Sequence, residues 1–275
     1  AEMGATVVCS TPTYALRMAQ EAKELDIDLA GSAVQRVILS GEPAGSIPAT
    51  KKLIEEQWGA KAGDTAGMTE LGTIMMFECD RQPGGAHIIE DHYIEEVVDP
   101  ETDEPVPYGE MGERVVTSFG RGFIPVLRYR TRDFVLKVPH DQCSCGRTFD
   151  IYDGGIRGRV DDMKLVRGTN VYPRAVEAII REVSEIDEFQ IHLYTAEGIR
   201  DEIEILVELP GVPADDPESE RLLSRLATAL AEAHEGLRFG VKQVDIGSLP
   251  RFELKAKRVE DDRIVIGTED ERRQT

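Results

Sequence analysis

The sequence predicts an α/β protein in which a parallel sheet runs into an antiparallel, barrel-like portion, with a smaller α+β domain behind them. Three observations carry that expectation. Short apolar strands alternate with helical stretches up to about residue 70. Alternating apolar and polar runs separated by turn-rich segments then take over, and beyond residue 160 the order becomes helix, strand, strand, helix, strand.

In the first stretch TVVC at 6–9 reads as a strand, Pro12 to about Leu25 as a helix, RVILS at 36–40 as a second strand and Ile47 to Trp58 as a second helix. Strands alternating with helices imply parallel pairing through right-handed crossovers. From about Thr73 to Val138, runs such as YIEEVVD and ERVVTS flank DPETDEPVPYGEMG and read as antiparallel hairpins. The last region places Val176, Ile179, Ile180 and Val183 on one helical face, and Ile203, Ile205, Val207 and Leu209 on one side of a strand. A helix from Pro217 to about Leu237 and the strand KQVDI complete it. The change of pattern sets a boundary near Asp161 and divides the chain into 1–160 and 161–275.

With 275 residues and 41% apolar composition the chain can build a sizeable core. No run approaches the roughly 20 apolar residues of a membrane span, and AEMGATVVCS lacks the basic start and apolar core of a secretion signal. The expectation is a cytoplasmic protein without a membrane partner. Because the sequence opens on Ala1 and runs almost at once into a strand, it reads as cut from something longer. A formal charge of −20 argues against nucleic acid, whose phosphates are bound by clustered cations. The basic residues are 9 Lys and 23 Arg among 32, which fits either adaptation to high salt or an ordinary acidic enzyme.

Four short motifs follow one another in order. Gly41-Glu42-Pro43 comes after a strand, where open α/β sheets bind nucleotides. Ala66-Gly67-Met68-Thr69-Glu70 sets a hydroxyl for phosphate beside a carboxylate for Mg²⁺. Tyr129-Arg130-Thr131-Arg132-Asp133 reads as a strand ending in an acid suited to ribose hydroxyls. Gly158-Arg159-Val160-Asp161-Asp162, Arg167-Gly168-Thr169-Asn170 and LPRFELKAKR complete the series.

In this order and spacing the chain resembles the adenylate-forming superfamily, and TPTYAL at 11–16, IIEDHYIEEVVDPETDEPVP at 88–107, LRYRTRD at 127–133 and GRVDDMKLVRGTNVYPRAVE at 158–177 resemble its phenylacetate-CoA ligase family. The resemblance implies that 1–160 is the C-terminal portion of a large AMP-binding domain and 161–275 a small mobile lid, and that ATP and an aromatic acid give an acyl-adenylate and pyrophosphate, after which the thiol of coenzyme A displaces AMP. It implies that Gly41, Glu42, Pro43 and the segment Ala66, Gly67, Met68 line the adenine, that Thr69 meets phosphate, and that Glu70 holds Mg²⁺. Asp133 with Arg159 would hold the ribose, Asp161 would mark a hinge, Gly168 would let the pantetheine arm pass, and Lys255 would act in adenylation. The same motifs leave open adenylyl transfer to a deazaflavin coenzyme and a non-catalytic nucleotide-binding remnant.

Three features depart from the family pattern. Leu254 replaces a glycine before Lys255, Ala66 replaces an aromatic residue, and the Ser/Thr/Gly-rich loop for the β- and γ-phosphates has no counterpart here. Tyr14 is the one aromatic residue to set near the acid, with an ordinary surface or core position as its other reading. A homodimer is left open.

Cys79, His87, Cys143 and Cys145 offer three thiols and an imidazole, the donors that structural zinc takes. The C-x-C spacing is too tight for a comfortable disulfide, and Gly146 allows the turn that follows. Reduced thiols without metal are the other reading, and His92 or His140 are less favoured fourth ligands. Cys9, inside an apolar strand, is expected in the core.

Overall fold

A computed structural model describes residues 3–81, 85–120, 125–196, 200–251 and 256–263. Strand β1 (Val7–Ser10), helix α1 (Pro12–Glu24), strand β2 (Arg36–Leu39), helix α2 (Pro48–Trp58) and strand β3 (Lys61–Met68) open the chain. Thr11 caps α1, its hydroxyl accepting from Tyr14 N at 3.2 Å, and Pro12 supplies the pre-set φ of the first turn. Ala15, Ala19 and Ala22 bury one narrow face, which lets Trp58 of α2 approach closely and donate from Nε1 to Ala15 O at 3.1 Å. Gly59 ends α2 at φ 60°, where a Cβ would lie 2.6 Å from Ala30 O.

Strands β1, β2 and β3 pair in parallel. The chain then turns back, and β4 (Gly72–Glu78), β5 (Ala86–Ile88), β6 (Tyr93–Val98), β7 (Met111–Ser118), β8 (Tyr129–Val138), β9 (Ile151–Tyr152) and β10 (Gly158–Arg159) extend the same sheet antiparallel. Its order is β1-β2-β3-β4-β5-β9-β8-β7-β6, with β10 added on β8. The antiparallel portion expected from the sequence is thus present as an open path, and no closed barrel forms among the described residues. One expectation fails: Cys9 is exposed, because β1 is the terminal strand of the sheet and pairs only with β2 among the described residues.

Two compact units make up the chain, one of 1–163 with 251–256 and the other of 164–250 with 257–275. The second begins with a hairpin of β11 (Lys164–Val166) and β12 (Thr169–Val171), followed by α3 (Pro173–Ile180), β13 (Phe189–Ala196), β14 (Arg200–Val207), α4 (Pro217–Ala233), β15 (Gly240–Gln243) and β16 (Val259–Asp262). Its sheet runs β15-β14-β13-β16. Phe189, Ile191 and Leu193 face Val207, Ile205 and Ile203 across the β13–β14 pair, and Leu222, Leu226 and Leu230 of α4 belong to the same core. β16 has no counterpart in the sequence reading, because VEDD carries one apolar residue.

Arg258, just before β16, is 9% exposed. Its Nε donates to Glu188 Oε1 at 2.6 Å and its Nη2 to Oε2 at 3.2 Å, while the guanidinium lies 4.9 Å over the Phe189 ring. Burial pushes the Glu188 carboxyl up, but the hydrogen bond and charge of Arg258 outweigh it and hold the pKa below its ordinary value. A depressed folded pKa contributes stability above the unfolded value, near 4.3, and that contribution is lost as pH falls through the folded value. Removing one partner strands the other, so Arg258→Met should destabilise the second unit by about 3 kcal/mol at pH 7 in urea melts. Acid titration of Glu188→Gln should show a smaller stability loss below about pH 4 than wild type does.

Candidate functional site

Beyond β2 the backbone turns at Gly41, with φ of 90°, into a single 3-10 turn at Pro43–Ser46. Glu42 fixes this turn from both sides. Its Oε2 accepts from Thr13 N at the start of α1 at 3.1 Å, and its Oε1 accepts from Ala256 N at 2.5 Å. Ala256 belongs to the segment 251–256 that groups with the first unit. Lys255, the preceding residue, lies outside the described residues. Room for the turn comes from glycine: a Cβ on Gly45 would stand 2.4 Å from Asp64 Oδ1 and 3.1 Å from Leu39 Cβ. Gly155, at φ 62°, approaches the same carboxylate, with its added Cβ 3.3 Å from Oδ2.

Ala66, Gly67 and Met68 close β3, where the register against β4 slips between Ala66 and Met68. Thr69 and Glu70 form the exposed turn that follows. Asp133 does not end its strand, as the sequence reading had it. β8 continues to Val138, and Asp133 follows Arg132, whose φ of 64° accompanies a slip opposite Glu113–Val115. A bulge re-aims side chains without terminating pairing, and sequence alternation does not reveal one.

Across the β8–β10 ladder Asp133 pairs with Arg159. The Arg159 guanidinium grips Asp161 through Nε at 2.8 Å and Nη2 at 2.7 Å, and its Nη1 lies 4.0 Å from Asp133 Oδ1. The structure therefore brings Asp133, Arg159 and Asp161 together. On the other side of Asp133 stands Arg114 of β7, 1% exposed, with Nη1 3.9 Å from Oδ2. Arg114 donates from Nε to Glu95 Oε2 at 2.6 Å and from Nη2 to Glu95 Oε1, and Tyr152 OH donates to the same Oε2 at 2.7 Å. Sequence reasoning missed Arg114, Glu95 and Tyr152. Burial pushes the Asp133 carboxyl up, Arg114, Thr131 and Arg159 pull it down, and the net result is raised. Gly168, at φ 87°, tips the β11–β12 hairpin with no heavy atom within 4 Å of an added Cβ. Tyr14 is exposed on α1.

Cys79, His87, Cys143 and Cys145 converge, with ligand atoms all within 4.8 Å of one another. Cys79 Sγ lies 3.6 Å from Cys143 Sγ, and Cys145 Sγ lies 3.3 Å from His87 Nε2. His87 is fully buried, and its Nδ1 lies 3.1 Å from Phe149 O. A carbonyl only accepts, so Nδ1 donates to it and Nε2 is the ring nitrogen that faces the sulfurs. Pairing of β4 with β5, and of β5 with β9, brings these distant segments to one corner of the sheet.

Residues 168–263 match the AMP-binding enzyme C-terminal domain. The chain is 36% identical to a phenylacetate-coenzyme A ligase of Thermus thermophilus over 74% of this chain and 45% of that protein. It is 32% identical to the Pseudomonas putida phenylacetate-coenzyme A ligase over 94% and 58%. A crystal structure of 2-hydroxyisobutyryl-CoA ligase in the postadenylation state superimposes with a TM-score of 0.87 at 32% identity, covering 95% of this chain and 55% of that one. Fold, sequence and motif order together make this chain a member of the adenylate-forming superfamily. Within that superfamily it belongs to the phenylacetate-CoA ligase family. It spans about half the length of the curated relatives it matches. These relatives are CoA ligases and lend no support to a deazaflavin acceptor.

The clearance at Gly45 gives a direct test of how the Glu42 turn is held. Overpacking against Asp64 and Leu39 should make Gly45→Ala about 1–3 kcal/mol less stable in thermal or urea melts. Gly63→Ala, where nothing lies within 4 Å of the added Cβ, should stay within about 0.5 kcal/mol of wild type.

Proposed function

We propose that the chain carries the nucleotide-binding and lid portions of an AMP-forming ligase that joins an aromatic carboxylic acid such as phenylacetate to coenzyme A. The observation that carries this reading is Asp133, a buried carboxylate with a guanidinium on either side. Such a group suits the two hydroxyls of a ribose, which donate to one carboxylate. The motif order and the named relatives support the same assignment.

In this reading the acid's carboxylate oxygen attacks the α-phosphorus of ATP, the bond to pyrophosphate breaks, and an acyl-adenylate forms. The coenzyme A thiol, losing its proton, then attacks the acyl carbon, and AMP leaves. Asp133 and Arg159 hold the ribose, the Gly41-Glu42-Pro43 turn and Ala66-Gly67-Met68 border the adenine, and Thr69 meets phosphate. Glu70, an exposed carboxylate beside that hydroxyl, fits a Mg²⁺ that neutralises the phosphates. Lys255 stabilises charge between carboxylate and α-phosphate. Asp161 works as the hinge, and Gly168 leaves room for the pantetheine arm.

The thiol-imidazole cluster fits structural Zn²⁺ in its donor set, in its tight convergence and in the protonation of His87 that frees Nε2. Bound there, zinc would pin the Cys143–Cys145 loop to β4 and β5 without entering the chemistry. Metal analysis of purified protein should find close to one zinc per chain. Cys143→Ser with Cys145→Ser should abolish it and lower the melting temperature, whereas full retention would assign the metal elsewhere.

With the complete protein, pyrophosphate release should depend on an aromatic acid. Asp133→Ala should weaken ATP binding about tenfold or more, the worth of hydrogen bonds to a charged group. Lys255→Ala should cripple adenylate formation yet spare thioester formation from a supplied acyl-adenylate. No pyrophosphate release with any acid in a broad panel would sink the ligase reading.

A further inference from the structure

A buried arginine with one carboxylate is already a complete ion pair, and Arg114 has that partner in Glu95. The pair uses one edge of the guanidinium fork, Nε and Nη2. Tyr152 holds Glu95 through its hydroxyl, and its ring lies 5.7 Å from the Arg114 guanidinium carbon, so the plane of the fork is set from two directions. The remaining nitrogen, Nη1, is thereby presented to Asp133 Oδ2 at 3.9 Å.

That distance decides what Arg114 can do. At 3.9 Å from Oδ2, and with Arg159 at 4.0 Å from Oδ1, neither guanidinium hydrogen-bonds the carboxylate. Both are close enough for a strong Coulomb attraction where water is excluded. The cations therefore favour the charged form of Asp133 without occupying the lone pairs that ribose hydroxyls would use. Of the two, Arg159 is half-exposed and already gripped by Asp161. Arg114 is the one that solvent cannot screen.

We propose that Arg114 is a positioning residue for nucleotide binding: oriented by Glu95 and Tyr152, it keeps Asp133 ionised without taking a hydrogen-bonding position on the carboxylate that the ribose would use. This rests on the reading that Asp133 holds the ribose. The groups facing Asp133 are Arg114 on β7, Glu95 behind it on β6, Arg159 on β10 and Thr131 on its own strand. Glu113, the other buried acid of β7, is taken up by Arg130, with Arg132 at 3.9 Å. Burial already works against the Asp133 charge. Deleting the Arg114 cation removes a counterweight of the kind that moves a carboxyl by 1–3 pH units.

The experiment measures ATP·Mg²⁺ affinity of the complete protein by calorimetry from pH 5.5 to 8.5. Wild type should be nearly flat across neutral pH. Arg114→Met should lose affinity steeply as pH falls, by roughly tenfold per unit once below the new Asp133 value, and Arg114→Lys should recover most of the loss. Because Arg114→Met strands Glu95, the double variant Glu95→Gln with Arg114→Met removes the orphan charge and should show the same pH slope. A loss equal at every pH, or no loss in either Arg114 variant while Asp133→Asn binds weakly, would overturn the proposal and leave the ribose assignment standing. Unaltered binding by Asp133→Asn would overturn both.

Discussion

Burying a guanidinium in a sheet is costly unless every edge of it meets a partner, and the first unit is organised around one that does. Arg114 on β7 meets Glu95 from β6, Asp133 from β8 and, through its face, Tyr152 from β9. Four strands that are scattered in sequence must therefore keep one register, because a slip of one residue would carry the guanidinium to the opposite face and leave two buried acids unmatched. The bulge at Arg132 fits this constraint, since it is the local adjustment that brings Asp133 up to the cation while β8 stays paired on either side.

The second unit solves a comparable problem by different means. Arg258 is satisfied by Glu188 and stacked on Phe189, beside a core that is aliphatic apart from Phe189 and Phe239. There the ion pair fastens the entry of β16 to β13, where Ile191 N also donates to Arg258 O at 2.7 Å. One buried arginine thus serves the Asp133 carboxylate, and the other holds β16 against its own sheet.

How much of this the sequence exposes depends on what each residue's neighbours hide. The α4 leucines and the alternation of Ile203, Ile205 and Val207 were legible because each element buries one face only. The four metal-type donors were legible because thiols are scarce and two of them sit one residue apart. Arg114 was not, because residues 112–116 of β7 are all buried, and in a strand covered on both sides the period of two carries no information. Asp133 was found by its motif but placed at a strand end, since a bulge leaves no trace in composition. Cys9 was set in the core because an apolar strand reads alike whether central or terminal.

The contact between Gly45, Asp64 and Gly155 has a bearing on how these positions can drift in evolution. The Asp64 carboxylate fills most of the space that a methyl group would need at Gly45, so substitution of Asp64 by a smaller residue would be the step that has to come first there, whereas an added Cβ on Gly155 meets Ser46 Cβ at 3.1 Å as well as Asp64 Oδ2 at 3.3 Å. The release would be unequal. Gly45 has no positive φ and would keep only the 3.1 Å approach to Leu39 Cβ, which a small shift relieves, whereas Gly155, at φ 62°, would still be confined by its backbone and by Ser46. Among descendants that lose Asp64, position 45 should therefore admit alanine while position 155 stays glycine, which separates a steric constraint from a conformational one by their histories alone.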